Sequence, residues 1–289
     1  MRLALRTVLA AALLLCTEAS ASAFCRTTTC NPGKEACQVD EKKCVIDGVP
    51  ARWTKMPLVF RFKRGGLSTL VREEARAAVR AAFYRWSDVV CPGGQRTSLR
   101  FVEGEEIDDD KPLEPGARAR ERYGIFFRDL GWPHKDADRT YALTTLDFGT
   151  RSGIVTYADI ELNTTAHTLS TGDSDGDVDL QTVATHEVGH YIGLAHSVEE
   201  NSIMAEALCE GGDRCARGKV AARRLAQDDL DAVCALYPSW ATYGDDAPQG
   251  CAAAARRRGP DGEEWCVAAA LSVIIGAVGA LRRRRGARW

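Results

Sequence analysis

The eleven residues from His186 to His196 read H-E-x-x-H-x-x-G-x-x-H, and they constrain this chain more than any other stretch. On a helix, residues four apart share a face, so His186 and His190 can aim two imidazoles at one ion. Glu187 stands one step round, near such an ion but offset from a ligand position. That is where a general base acting on a metal-activated water belongs. His196 lies six residues beyond His190, about 9 Å further along the axis if the helix continued. It joins the site only if the chain turns, and Gly193 is the residue able to take φ > 0 and end the helix. Three neutral imidazoles with one position left for water describe a catalytic zinc site, not a closed structural one. The chain has five histidines, and three fall in this window, so scattered surface histidines are a poor account of it.

Residues 1–23 have the layout of a secretory signal. Arg2 and Arg6 form a charged start, Val8 to Leu15 an apolar run too short to span a bilayer, and Ala21-Ser22-Ala23 an A-x-A cleavage site. Eleven cysteines in an exported chain imply an oxidising compartment. Cys16 leaves with the signal. Cys25, Cys30, Cys37 and Cys44 crowd into a segment, 24–50, with little apolar material to bury, so disulfides are expected to staple it. Three pairings are open to these four. Their spacings lack the C-x-x-C pairs of a second zinc site.

The body, 51–240, reads as α+β. A short strand is expected at 57–62, then a helix opened by Ser68 or Thr69 with an apolar stripe of Val71, Ala75, Val79, Ala82, Trp86 and Val90. A strand at 98–102 precedes a polar loop at 105–121 containing Asp108-Asp109-Asp110, Pro112 and Pro115. Two strands, 141–148 and 153–162, flank a glycine turn. The stretch 171–177 alternates aspartate and glycine like the start of a calcium loop. Counted from Asp173, the sixth position is Val178 and not glycine and the twelfth is Ala184, so calcium is left unsupported and a polar turn is expected, with Asp177 or Asp179 capping the next helix. Leu180, Ala184, Val188 and Tyr191 form the core stripe of that helix. A last helix, 225–236, carries Asp228 to Asp231 early and Leu225, Leu230, Val233 and Leu236 inward, and Pro238 ends it. Cys209 and Cys215 enclose a short glycine-containing loop and are expected to pair. Cys91 and Cys234 remain as candidates for a long-range bridge.

Three further features carry a resemblance. Ser197 directly follows the third histidine, Asn201-Ser202-Ile203-Met204 comes shortly after it, and Ala158-Asp159-Ile160-Glu161-Leu162-Asn163 precedes the helix. With the histidine window, these residues resemble the metzincin zinc metalloproteases, and among them the matrixins, over about 53–238. The resemblance implies a metzincin-like zincin: a twisted mixed sheet, a long helix, a zinc-binding helix and a small C-terminal subdomain after the third histidine. It implies a Met-turn with Met204 beneath the metal as a support. It also implies an edge strand, Tyr141, Ala142, Leu143, Thr144, Thr145 and Leu146, whose backbone docks an extended peptide. The implied activity is that of an exported zinc endopeptidase. His186, His190 and His196 hold zinc, and Glu187 takes a proton from water and returns it to the leaving amine. Matrixins also hold a second, structural zinc through histidines in preceding loops. Only His134 and His167 are spare here, so one catalytic ion is expected. No P-R-C-G-type motif is present, leaving thiol-switch latency without support. Met204 is followed by Ala205-Glu206-Ala207 where matrixins carry Tyr-Pro, so the resemblance does not define the shape of the primary specificity pocket. The competing reading is a non-catalytic, surface-anchored binding module that keeps the fold. A retained Glu187 and three retained histidines argue against it.

Charge narrows the partners. Between the signal and residue 251 the chain carries 28 basic and 36 acidic side chains, a net near −8. A body this acidic argues against nucleic acid, and the resemblance implies a protein or peptide substrate, with a monomer expected. Residues 241–265 read as a linker. From 266 to 289, Cys266 is followed by an apolar run, 267–281, and then Arg282-Arg283-Arg284-Arg285. This order resembles the C-terminal sorting tails of exported myxobacterial proteins and implies envelope or membrane attachment through Cys266. Four arginines would hold that end on the cytoplasmic side.

Overall fold

Apolar residues alternate through Leu58-Val59-Phe60-Arg61-Phe62, and in the computed structural model of this chain Leu58, Phe60 and Phe62 are buried on one face of a strand, β1 (Leu58–Phe62). The structure describes residues 24–66, 72–108, 123–172, 178–206, 223–241 and 243, and two further three-residue strands. β1 runs parallel to β2 (Phe101–Glu103), and the crossover a parallel pair needs is supplied by the long helix α1 (Arg72–Ser87). Ala75, Val79, Ala82 and Trp86 form its buried stripe as expected, joined by Phe83. Glu73 and Glu74 in the first turn and Arg85 in the last match the helix dipole. The residues expected to cap α1, Ser68 and Thr69, lie outside the described residues. Val90 departs from the reading. The helix stops at Ser87, Cys91 turns to bond Cys234, and Val90 is left 59% exposed.

The strand expected at 98–102 begins later, at Phe101. Thr97 Oγ1 and Ser98 N–H are committed to the Tyr237 carbonyl (2.5 and 3.0 Å) and not to the sheet ladder. A further strand, β3 (Gly124–Phe127), was not anticipated. It lies between β1 and β5 (Val155–Leu162), parallel to both. β4 (Ala142–Phe148) pairs antiparallel with β5 and closes the order β2-β1-β3-β5-β4. The outer side of β4 has no partner strand among the described residues.

The short strands β6 (Leu169–Ser170) and β7 (Val178–Asp179) lead into α2 (Leu180–Tyr191), which packs against α1, β4 and β5. The expected stripe of Leu180, Ala184, Val188 and Tyr191 is buried, but so are Thr182, Thr185 and His186. A helix buried nearly all round is a core helix. It is fixed by oriented polar contacts: Trp86 Nε1 donates to Thr185 O (2.9 Å), Trp53 Nε1 to Tyr191 O (2.7 Å), and Tyr191 Oη to Val59 O (2.9 Å). Beneath it Phe60 stacks on Phe83, with ring centroids 4.1 Å apart. Each such buried ring contributes roughly 1.5–3 kcal/mol over exposure. The last helix of the body, α3 (Gln227–Leu236), starts two residues later than expected, and Tyr237 beyond it donates to Ile192 O (2.7 Å).

Disulfides join Cys25 to Cys44, Cys30 to Cys37, and Cys91 to Cys234 across 143 residues. Cys209 and Cys215 lie outside the described residues, as do 1–23 and 267–289. Within the stretch read as a linker, β8 (Arg256–Arg258) and β9 (Glu264–Cys266) pair antiparallel, so Cys266 ends a strand.

Candidate metal centre

α2 begins where Asp179 accepts a hydrogen bond from Thr182 N–H (2.8 Å), an N-cap that satisfies one of the helix's orphan donors. Arg223 clamps the same carboxylate, with Nη2 2.6 Å from Oδ1 and Nε 3.0 Å from Oδ2. Two turns on, the helix presents His186 and His190. It ends at Tyr191, and the chain turns at Gly193, whose φ of +101° suits glycine; a Cβ there would fall 2.5 Å from the Ala51 carbonyl oxygen. The turn brings His196 back. Ligand atoms of His186, His190 and His196 all lie within 4.8 Å of one another, and the ring centroids are 4.7, 5.3 and 4.8 Å apart.

The proton positions follow from the acceptors. His186 Nδ1 stands 2.7 Å from Ile203 O and His190 Nδ1 2.9 Å from Leu194 O. A carbonyl only accepts, so each Nδ1 carries the proton, and a neutral ring then leaves its Nε2 lone pair for a metal. Neutrality is enforced at His190: burial, and secondarily the neighbouring His196, push its pKa down to about 3. Glu187 is buried beside the triad. Burial raises its pKa to about 7, against hydrogen bonds from Thr144 that pull it down. Its Oε2 accepts from Thr144 Oγ1 at 2.5 Å, while Oε1 is buried with no hydrogen-bond partner. Three converging imidazoles with a buried carboxylate alongside, one of its oxygens without a hydrogen-bond partner among the described residues, fit a zinc ion with an open position.

Met204 is buried, 2% exposed, and lies against Gly189 of α2. A Cβ at 189 would come within 2.1 Å of Met204 Sδ, so the third turn of the helix must be bare for the methionine to approach. The turn carrying Met204 is held from α3: buried Asp229 accepts from Ser202 Oγ (2.5 Å), Ile203 N–H (2.8 Å) and Ala226 N–H (2.7 Å). The same residue, Ile203, orients His186 through its carbonyl. Ser197 Oγ donates to Asp228 (2.7 Å), tying the residue after His196 to α3 as well.

Tyr141 to Leu146 run along the open edge of the sheet, with Tyr141 just ahead of β4. His134 and His167 stand apart from the triad: His134 Nε2 meets Glu161 (2.9 Å), which also pairs with Arg128 (2.6 Å), and His167 Nε2 donates to Ala137 O (2.9 Å). Sequence reasoning missed Asp229, Gly189, the Ile203 carbonyl and the Thr144 hydroxyl. For Thr144 a signal existed: Ala142 and Leu146, on the same face of β4, pack into the core, so a polar residue between them needs a buried partner.

A histidine-bearing helix ended by a glycine turn, over a buried methionine and beside a mixed sheet, defines a metzincin-type centre. The matrixin family model matches residues 52–238, a span that holds all three histidines, Glu187 and Met204, and the chain belongs to the matrixin family. Matrixins depend on zinc. The chain is similar to a nematode protein (Caenorhabditis elegans) named matrix metalloproteinase-C, 28% identical over 64% of this chain and 28% of that one. It is also similar to metalloendoproteinase 5-MMP of Arabidopsis thaliana, 29% identical over 71% of this chain and 50% of the relative. An interstitial collagenase of Sus scrofa is 25% identical over 64% and 33%. The chain thus spans about a quarter to a half of the length of these relatives.

Proposed function

We propose that this chain is an exported zinc endopeptidase. The reading is carried by one observation: three imidazoles with ligand atoms within 4.8 Å of one another, beside a buried carboxylate that has one oxygen committed and one unsatisfied. His186, His190 and His196 would hold the ion through nitrogens not engaged by the backbone. When bound, zinc supplies Lewis acidity, polarising a carbonyl and lowering the pKa of water towards about 7. Glu187 accepts the proton of the attacking water at Oε1 and delivers it to the leaving amine. Met204 is a support beneath the site and not a ligand. Tyr141 to Leu146 offer an open strand edge along which an extended peptide adds as a further strand, its carbonyl brought to the site by register and not by side-chain affinity.

Export is part of the reading. Three disulfides persist only in an oxidising compartment, and 1–23 have the composition of a cleaved signal. Attachment to the envelope through Cys266, with the tail after it removed, completes the proposed organisation. Mass spectrometry of the native protein should then find no peptide from Val267 onward. A secreted form ending in Trp289 would reject that part.

The activity is tested by profiling cleavage of a peptide library before and after chelation. Cleavage that vanishes with chelator and returns with zinc supports the reading. Cleavage unaffected by complete removal of zinc would overturn it.

A further inference from the structure

We infer that Thr144 is a positioning residue for Glu187: its hydroxyl fixes which carboxylate oxygen handles the proton. This inference rests on the endopeptidase reading. Thr144 Oγ1 donates to Glu187 Oε2 at 2.5 Å and also lies 3.0 Å from the Glu187 backbone carbonyl. The two residues are 43 apart in sequence, so this contact stitches β4 to α2 at the point where chemistry is proposed.

A carboxylate with two equivalent oxygens can rotate about its last bond and offer either. Here one oxygen is tethered and the other, Oε1, is buried without a hydrogen-bond partner. With Oε2 held by Thr144, Oε1 is the oxygen left to accept the proton. When Oε1 takes that proton, Oε2 still accepts from Thr144. The group therefore keeps its orientation through the step, and the proton stays on the oxygen that must give it back.

The contact has a second consequence. Thr144 belongs to the strand along which the peptide is proposed to lie, and its own backbone is part of the ladder to β5 through its register with Ile160. The residue that sets the height of the docked peptide thus also sets the height of the base. Positioning errors of about 1 Å cost up to roughly a hundredfold in rate, so a direct link between the two is worth keeping.

Thr144→Val and Thr144→Ser separate the hydroxyl from the strand. Valine keeps the branched shape, the β preference and the backbone hydrogen bond to Glu187 and removes only the hydroxyl; serine keeps the hydroxyl. Thr144→Val should lower kcat roughly ten- to a hundredfold with KM within about twofold of the parent, because ground-state docking on the strand is intact. Zinc stoichiometry should match the parent, and Thr144→Ser should recover most of kcat. Parent-like kcat in Thr144→Val overturns the inference, and so does a Thr144→Ser variant as slow as Thr144→Val. A fall in zinc content or thermal midpoint that accounts for the lost rate also overturns it, by showing a structural role. If zinc-loaded parent cleaves no peptide at all, the endopeptidase reading fails and takes this inference with it. Active parent alongside equally active Thr144→Val defeats this inference alone.

Discussion

Two arms brace the histidine window from 186 to 196, and they are built on different principles. The arm at 24–51 reaches it through the backbone: Thr27 N–H donates to Gly193 O (2.9 Å), Ala195 N–H to Cys25 O (3.0 Å), and Thr27 Oγ1 to Leu194 O (3.1 Å). It buries few side chains, leaves Val39 and Ile46 more than half exposed, and is closed by two disulfides. The arm at 202–204 has no disulfide among the described residues. It is held by buried Asp229, by Met204 seated on Gly189, and by the Ile203 carbonyl on His186. Covalent closure lowers the entropy of the unfolded chain, whereas the polar arm depends on every buried donor and acceptor being matched. The first should tolerate side-chain change but not reduction. The second, whose supporting helix α3 is itself tied by Cys91–Cys234, should be most sensitive to the loss of a single buried donor or acceptor.

The sharpest way to break this contrast is Asp229→Ala. It strands three buried donors at once, so a loss of about 3–5 kcal/mol is expected from the urea midpoint, with weaker zinc binding as Ile203 releases His186. Paired Cys25→Ser and Cys44→Ser should cost about 3 kcal/mol, the chain-entropy scale for a loop of 19 residues, in non-reducing denaturation. Gly189→Ala gains helix propensity but presses on Met204 and Trp86, and a net loss of about 1–2 kcal/mol in the same assay is expected. Smallest is Val39→Thr, an exposed change on the stapled arm, which should stay within about 0.5 kcal/mol of the parent. A Val39→Thr effect as large as that of Gly189→Ala would erase the distinction between the arms.

How much of this was legible in the sequence depended on the range over which the physics acts. The histidine spacing, the glycine that must end α2 and the stripe of α1 are local regularities, and they appear where their periods put them. β3 was hidden because four residues after a polar stretch give too short a pattern to count. The start of β2 was misplaced because a distant carbonyl, Tyr237 O, claims Thr97 and Ser98. Asp229 reads in sequence as one more acidic residue early in a helix, suited to the dipole. Only the fold reveals that it is buried and carries the methionine turn. Thr144 reads as a β-branched strand former, and its second use needs α2 to be in place. The pairing of Cys25 with Cys44 is likewise a property of the folded arm, since spacing left three pairings open.

The central claim is that His186, His190 and His196 hold the metal while Glu187 moves the proton. It is tested most directly by measuring peptide hydrolysis and zinc content side by side in Glu187→Ala and His190→Ala. The account predicts that Glu187→Ala loses at least about a hundredfold in kcat, the lower end of the general acid–base contribution, while keeping the parent's zinc. His190→Ala should lose hydrolysis and zinc together. A Glu187→Ala protein that cleaves at a substantial fraction of the parent rate, or a His190→Ala protein that keeps full zinc, would contradict it.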